Sequence, residues 1–372
     1  MRGGEKVLER IARVFPKAPL YTLFHFPGSV SDELEAHPIR TSYLQHFPLL
    51  QKHYRSYLPL FPHAVGRLDF REFDLVVSTS HAVAKGAIVR PGAVHICYCH
   101  TPMRYIWDQE EVYFPNRRGA AARVRGHILA RLRKWDTSTA NRVDHYLANS
   151  SFVAERIQRY YGRDSTVLPP PVDTEFYSPR EEDSADAGEE RPYALVVSAL
   201  APYKRVDIAI EAATRAGIDL KIVGDGPERA ILEGSGSDTI EFCGRVPEEE
   251  LRSLYRGAAC FLQPGVEDFG ISSVEALACG TPVVALGRGG IRDIVSDGKH
   301  GLLVGSVETT TADPQGLAVA IDKVRNIGFN SLDLRKQAEL FSAASFDDRF
   351  QSVLTTLKAV NPSSPTPSGG TL

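Results

Sequence analysis

At 372 residues with 43% hydrophobic side chains, the chain is long enough to bury two cores, in domains of ~150–200 residues each. A formal charge of −3 excludes a general basic bias toward nucleic acid, and five cysteines, odd in number and set in apolar runs, exclude a secreted disulfide framework. No apolar run approaches the ~20 residues of a membrane span and "MRGGEKVLER" lacks a signal-peptide core, so the expected setting is the cytoplasm.

Strands are predicted at 73–80 (FDLVVSTS), 93–100 (AVHICYCH), 144–150 (DHYLANS) and 165–173 (STVLPPPVD). They are short, rich in Val and Ile and separated by helix-like stretches, which argues for a parallel α/β sheet. Pro169–Pro171 stop regular structure, and residues 180–191 carry six acidic side chains against two basic ones with nothing large and apolar, as a linker does. The alternation then restarts: strand 193–200, helix 205–217, strands 219–226 and 240–244, helix 248–258, strand 259–264, helix 271–279, strand 282–286. The expected division is an N-terminal domain over 1–170, a linker over 171–192, a C-terminal domain over 193–338, helices over 339–360 returning to the N-terminal domain, and a disordered tail over 361–372. Two doubly wound α/β domains of this kind are expected to face each other across a cleft at the carboxyl ends of their strands, where such folds bind ligands.

Residues 264–290, PGVEDFGISSVEALACGTPVVALGRGG, fall at such a strand end. A strand-to-helix turn at Gly270 leaves the N–H groups of Phe269, Gly270 and Ile271 for an anion such as phosphate. Glu267 lies before the helix and Glu275 about one turn inside it, so both carboxylates can accept from hydroxyls of one ligand. On spacing alone a plainer reading stands beside this one: Glu275 serves the helix dipole and Glu267 is a solvated loop residue.

The E-x7-E frame of Glu267 and Glu275, with FG between and EALACGTPVVA after, resembles the donor-site signature of family-four retaining glycosyltransferases of the GT-B fold. Seven further segments follow that family's order: GGEKVLE (3–9), CHTPMRYIWD (99–108), NSSFVAERI (149–157), PPPVDTEFY (169–177), PYKRVDIAIEA (202–212), GDGPE (224–228) and FCGRVPEEEL (242–251). The resemblance implies a nucleotide-sugar donor on the C-terminal domain and an acceptor mainly on the N-terminal one. The HTPMRYIWD and PYKR forms look most like bacterial enzymes that transfer mannose-type sugars, from GDP-mannose, in surface polysaccharide assembly. It implies that Glu275 binds the ribose hydroxyls, that Glu267 binds the sugar, and that Phe269, Gly270 and Ile271 offer amides to sugar and diphosphate. It further implies that Lys204 neutralises the departing diphosphate, that His100 lies close to the sugar, and that Gly3 and Gly4 approach the donor phosphate. Gly224, Arg245 and Val246 belong by the same likeness to the nucleotide pocket.

The chain departs from the family's pattern in two places. Ala199 stands five residues before Lys204, where an arginine is common, and Arg205 or Arg104 is expected to supply the missing charge. The Gly3–Gly4 pair ordinarily follows a first strand, which is expected to be missing. No essential metal or other cofactor is expected: there is no D-x-D pair, and Cys97, Cys99 and His100 read as strand packing. The resemblance implies same-face attack rather than two inversions, since the family offers no agreed nucleophile.

Residues 116–142 carry seven Arg and one Lys against one Asp, with Val124, Ile128, Leu132, Trp135 and Thr139 at helical spacing. Weak peripheral contact with the anionic inner face of the membrane and plain core packing are both open readings. The expected acceptor is a saccharide or a polyprenyl-diphosphate-linked saccharide. The alternatives are a catalytically impaired sugar-nucleotide binder, or another GT-B enzyme such as a nucleotide-sugar epimerase or a phosphorylase. Nucleic acid is set aside, because no aromatics interleave the basic run.

Overall fold

The computed structural model describes residues 3–110, 119–180, 191–234 and 237–360. Most of the acidic stretch, the tail from 361, residues 116–118 of the basic segment and whatever precedes Gly3, on which the expected missing strand turns, lie outside these. The chain divides into two compact units: one runs to Pro170 and resumes at Asp347, and the other is Pro171–Phe346.

The first unit holds a parallel pair, β1 (Leu20–Thr22) with β2 (Ile39–Thr41), and a parallel four-stranded sheet. That sheet runs β3 (Leu75–Ser80), β4 (Val94–Cys99), β5 (His145–Ala148), β6 (Ser165–Val167) in order. β4 is buried at every position, as the unbroken run VHICYC suits for a strand covered on both faces. The Gly3–Val14 helix buries Val7, Ile11 and Ala12, and its Arg10 pairs with Asp347 of the Ala343–Val360 helix, tying the returning segment to this unit.

The basic segment forms a helix from Ala120 to Ser138, and its inward face differs from the expected stripe. Leu129, Leu132, Asp136 and Thr139 are buried, whereas Val124 is 61% exposed. The first turns run clear of the core, so an apolar residue there has nothing to pack on. From Leu129 onward this is a core helix with Arg131 and Lys134 in solvent. Against it Lys85 (1% exposed), from the Ala84–Gly86 turn, pairs with Asp136 (0%) at 3.0 Å. The other Asp136 oxygen accepts from Trp107 Nε1 at 2.8 Å and from the Tyr161 hydroxyl at 3.0 Å. Arg156, also buried, donates to Thr101 at 2.7 Å and to Asp108 at 2.9 Å, so the 99–108 and 149–157 segments meet through it.

The second unit is a six-stranded parallel sheet of β7 (Tyr193–Val197), β8 (Asp219–Val223), β9 (Ile240–Gly244), β10 (Ala258–Gln263), β11 (Val283–Leu286) and β12 (Gly301–Val304). Its spatial order is β12-β11-β10-β7-β8-β9, so the chain reverses direction across the sheet between β7 and β10. Alternate residues serve opposite faces. Ala194, Val196, Leu262 and Val284 pack under the Val206–Ala216 and Pro314–Asn326 helices. Leu195, Phe261, Val283 and Ala285 pack under Ile271–Ala278 and Ser331–Glu339.

The linker expected over 171–192 is shorter. Val172 and Tyr177 are core residues of this unit, the Val172 N–H donates to the Phe341 carbonyl at 2.9 Å, and Arg256 holds the Ser178 carbonyl at 2.6 Å. A proline run ends a strand but does not stop the apolar residues after it from being buried. β1, β2, β12 and the helices from 314 to 339 add to the elements read from sequence; the strands among them are three or four residues long, too short to show a period.

Candidate active site

The loop 264–270 leaves the carboxyl end of β10 and enters the Ile271–Ala278 helix. Gly270 sits at φ 112°, in the left-handed region, and a Cβ there would stand 2.7 Å from Gln263 Oε1. Only glycine makes that turn without strain. Among the described residues the N–H groups of Phe269, Gly270 and Ile271 make no hydrogen bond, so the helix presents free donors at its positive end. The Phe269 side chain points the other way, into the core against Phe341, with ring centroids 5.5 Å apart.

Lys204 closes a short turn, Pro202–Lys204, just past β7. Its ammonium forms an ion pair with Glu267, both side chains half-buried, and lies 5.3 Å from the Tyr203 ring centroid. Gly265 makes this meeting possible: a Cβ on it would lie 2.6 Å from the Tyr203 carbonyl oxygen and 2.8 Å from that of Lys204. The far side of the loop is held by the glycine turn after β11. The Gly290 N–H donates to the Glu267 carbonyl at 2.9 Å, and Gly289 bridges to Glu267 as a strand partner would.

Glu275 is 7% exposed and accepts from the Tyr255 hydroxyl at 2.9 Å. Burial, and then the nearby Glu275 carboxylate, push the Tyr255 hydroxyl well above its ordinary range, so it stays protonated and donates. Tyr177 stands edge-on to Tyr255 at 5.8 Å, and its hydroxyl is raised too, first by burial and then by Glu275. The structure thus brings Lys204, Glu267, the free amides and Glu275 to one strand-to-helix loop: one cation and several N–H donors for an anion, two carboxylates for hydroxyls.

Gly224 follows β8, its N–H donating to the Gly244 carbonyl at 2.7 Å, which sets it beside the end of β9; Arg245 is exposed there and Val246 packs into the core. Arg205 is bound to the first turn of its own helix, where both oxygens of Asp207 take its guanidinium at 2.7 to 3.3 Å. The charge that Ala199 lacks is therefore not standing free at Arg205.

In the first unit, His100 follows β4 and Gly4 lies against it, the Cβ position of Gly4 being 3.4 Å from the imidazole. Burial, with a smaller push from His81, lowers the His100 pKa to about 3, so the ring is neutral. Gly3 opens the helix at the same place, and Arg104 begins the short Arg104–Trp107 helix just beyond. Cys97 is buried, its thiol pushed up to about 12 by desolvation, and among the described residues no group of three or more His, Cys, Asp or Glu could hold a metal ion.

Sequence reasoning did not single out Gly265, Gly289, Gly290, Gln263, Tyr177 or Tyr255. The closing GRGG was visible, but its partner lies some twenty residues earlier. Nothing local marks a tyrosine as the partner of a carboxylate on another helix.

Two family models divide the chain between them: "Glycosyltransferase Family 4" over residues 1–176 and "Glycosyl transferases group 1" over 178–339. The chain belongs to the family 4 glycosyltransferases. It is 32% identical over 208 residues to a D-inositol 3-phosphate glycosyltransferase of Geodermatophilus obscurus, covering 49% of this chain and 45% of that protein. It is 33% identical over 180 residues to a GDP-mannose-dependent alpha-(1-6)-phosphatidylinositol monomannoside mannosyltransferase of Mycolicibacterium smegmatis, covering 42% and 47%. The alignments thus span about half the length of these curated relatives. Among solved structures, HepE of Anabaena in complex with UDP superposes with a TM-score of 0.66 at 19% identity, over 95% of this chain and 96% of that one. The apo lipopolysaccharide outer core galactosyltransferase WaaB gives 0.65 at 15%, over 96% of each. The fold of this family 4 chain is GT-B, two Rossmann-like parallel-sheet domains.

Proposed function

We propose that the protein is a retaining glycosyltransferase. It moves a hexose, mannose from GDP-mannose in the first instance, to a hydroxyl of a saccharide or lipid-linked saccharide, without a metal. The observation that carries this reading is the loop at 264–271, where the Lys204–Glu267 pair, unspent helix N–H groups and buried Glu275 converge. A diphosphate arriving at the helix end competes with Glu267 for the Lys204 ammonium and frees that carboxylate for the sugar. The acceptor hydroxyl then attacks from the face that the diphosphate leaves, and the leaving phosphate oxygen takes its proton. Lys204 and the amides act by positioning and charge stabilisation, the largest contribution such sites usually make. Glu275, held by Tyr255, takes the ribose hydroxyls.

The family supports transfer as the reaction. The mannose choice draws on the HTPMRYIWD and PYKR forms and on the mycobacterial relative; HepE, solved in complex with UDP-glucose, makes that the donor to set against it. The test is a thermal-shift and donor-hydrolysis panel of GDP-mannose, UDP-glucose and UDP-N-acetylglucosamine, with and without EDTA, on wild type and Glu275→Ala. One nucleotide should raise the melting temperature by several degrees, with the shift lost in the variant and indifferent to EDTA. Binding without turnover of any donor, even with acceptor saccharides present, would make the protein a sugar-nucleotide binder instead.

A further inference from the structure

The first unit contains a cavity of about 470 Å³ lined by Thr41, Tyr43, His63, Arg67 and Leu68 among others, within the size range of small-molecule sites. Thr41 ends β2 and Tyr43 lies just past its carboxyl end, the side on which open α/β folds take ligands. Ser42 pins this corner: its hydroxyl donates to the Leu23 carbonyl at 2.7 Å and accepts from the Leu44 N–H at 3.2 Å.

The chemistry of the lining is one-sided. Arg67 and His63 line the cavity, and among the described residues no Asp or Glu does. The flanking acids are spent elsewhere. Glu35 accepts from the Gly28 N–H at 2.8 Å and pairs with His25 at 3.0 Å, and Asp69 is held by Arg71 at 2.6 Å. Among the described residues the Arg67 guanidinium makes no ion pair or hydrogen bond. The Tyr43 hydroxyl lies 2.8 Å from His63 Nδ1; with tyrosine donating, the imidazole proton sits on Nε2, a further donor. A hydroxyl, an imidazole N–H and a free guanidinium fork around one space suit a tetrahedral anion better than a planar one.

We propose that this cavity is a subsite for the phosphate group of a phosphorylated acceptor, held by Arg67, His63 and Thr41. That the ligand is an acceptor rests on the transferase reading above; that it is a phosphate ester rests on the cavity alone. The phosphate can belong to a soluble sugar phosphate or to a lipid headgroup, and the chemistry of the site is the same for both.

Isothermal titration calorimetry of the whole protein with inorganic phosphate tests the site, with sodium acetate at matched ionic strength as the planar comparison. Phosphate should bind and acetate should not. Arg67→Ala should weaken phosphate binding about tenfold or more, Arg67→Lys less, and Arg71→Ala, next door but paired with Asp69, should leave it unchanged. Arg67 is exposed, so its loss does not threaten folding. No heat at tens of millimolar phosphate, equal binding of acetate, or an Arg67→Ala variant that binds like wild type would each overturn the proposal. A hexose 6-phosphate and vesicles containing phosphatidic acid, titrated in parallel, separate the two sources. Nucleotide-induced stabilisation of the wild type reports on the transferase reading independently, so either idea can fail while the other stands.

Discussion

Gly290→Ala offers a direct test of how the 264–270 loop is held. Gly290 has φ −64°, a value alanine adopts freely, so backbone strain plays no part. The added Cβ would lie 2.3 Å from the Asp268 carbonyl oxygen and 2.5 Å from Phe269 Cα, and all its near neighbours are backbone. No side chain can swing aside, so the 267–269 segment must retreat by roughly 0.7 Å or more to restore a tolerable contact of about 3 Å. Such overpacking costs about 1–3 kcal/mol, and a displacement of this order at a reacting centre can cost ~10²-fold in rate. Donor hydrolysis without acceptor, measured beside thermal denaturation, should fall about a hundredfold while the protein melts only a few degrees lower. Gly234→Ala is the control, because its Cβ would meet nothing closer than 3.5 Å. If Gly290→Ala hydrolyses donor within threefold of wild type, the glycine turn does not position Glu267.

Lys204→Ala should lower the turnover number by ~10²–10³ and melting by no more than a few degrees, since its partner Glu267, 18% exposed, still reaches solvent; a loss of folding large enough to account for the lost turnover would refute the functional assignment. Lys85→Met strands the fully buried Asp136 and should cost about 3–5 kcal/mol in urea unfolding; a loss under 1 kcal/mol would mean that the Trp107 and Tyr161 donors suffice. His100 has its pKa lowered from 6.5 to about 3, so below pH 6.5 the unfolded chain takes up a proton that the folded ring refuses. Its contribution is complete above pH 6.5 and is lost as pH falls toward 3, and stability should decline less steeply over that window in His100→Gln than in wild type. Parallel urea midpoints at pH 7 and pH 5 would show it, and identical slopes would refute it.

Much of this protein is written locally. Short, unbroken apolar runs such as VHICYC and YALVV, alternating with helix-like stretches, suit strands covered on both faces, and they pointed to two parallel-sheet domains without any contact being known. Glu267 and Glu275 were legible because one loop and the helix that follows it carry both, while their partners Lys204 and Tyr255 lie far off in the sequence. What sequence spacing could not carry is everything made by approach across the fold. Gly265 and Gly290 are ordinary turn glycines on paper, and become necessary only where the backbones of 203–204 and 268–269 press on them. Arg205 holds both oxygens of Asp207, a pairing that its place beside Lys204 did not announce. Val124 continued a helical stripe, but a period says which residues share a face and not how far along the helix the core extends. The order β12-β11-β10-β7-β8-β9 and the acid-free cavity past β2 arise in the same way. Local pattern decides which elements form because their hydrogen bonds and apolar faces are local, whereas the site depends on sub-ångström contacts between segments that meet only when the core closes.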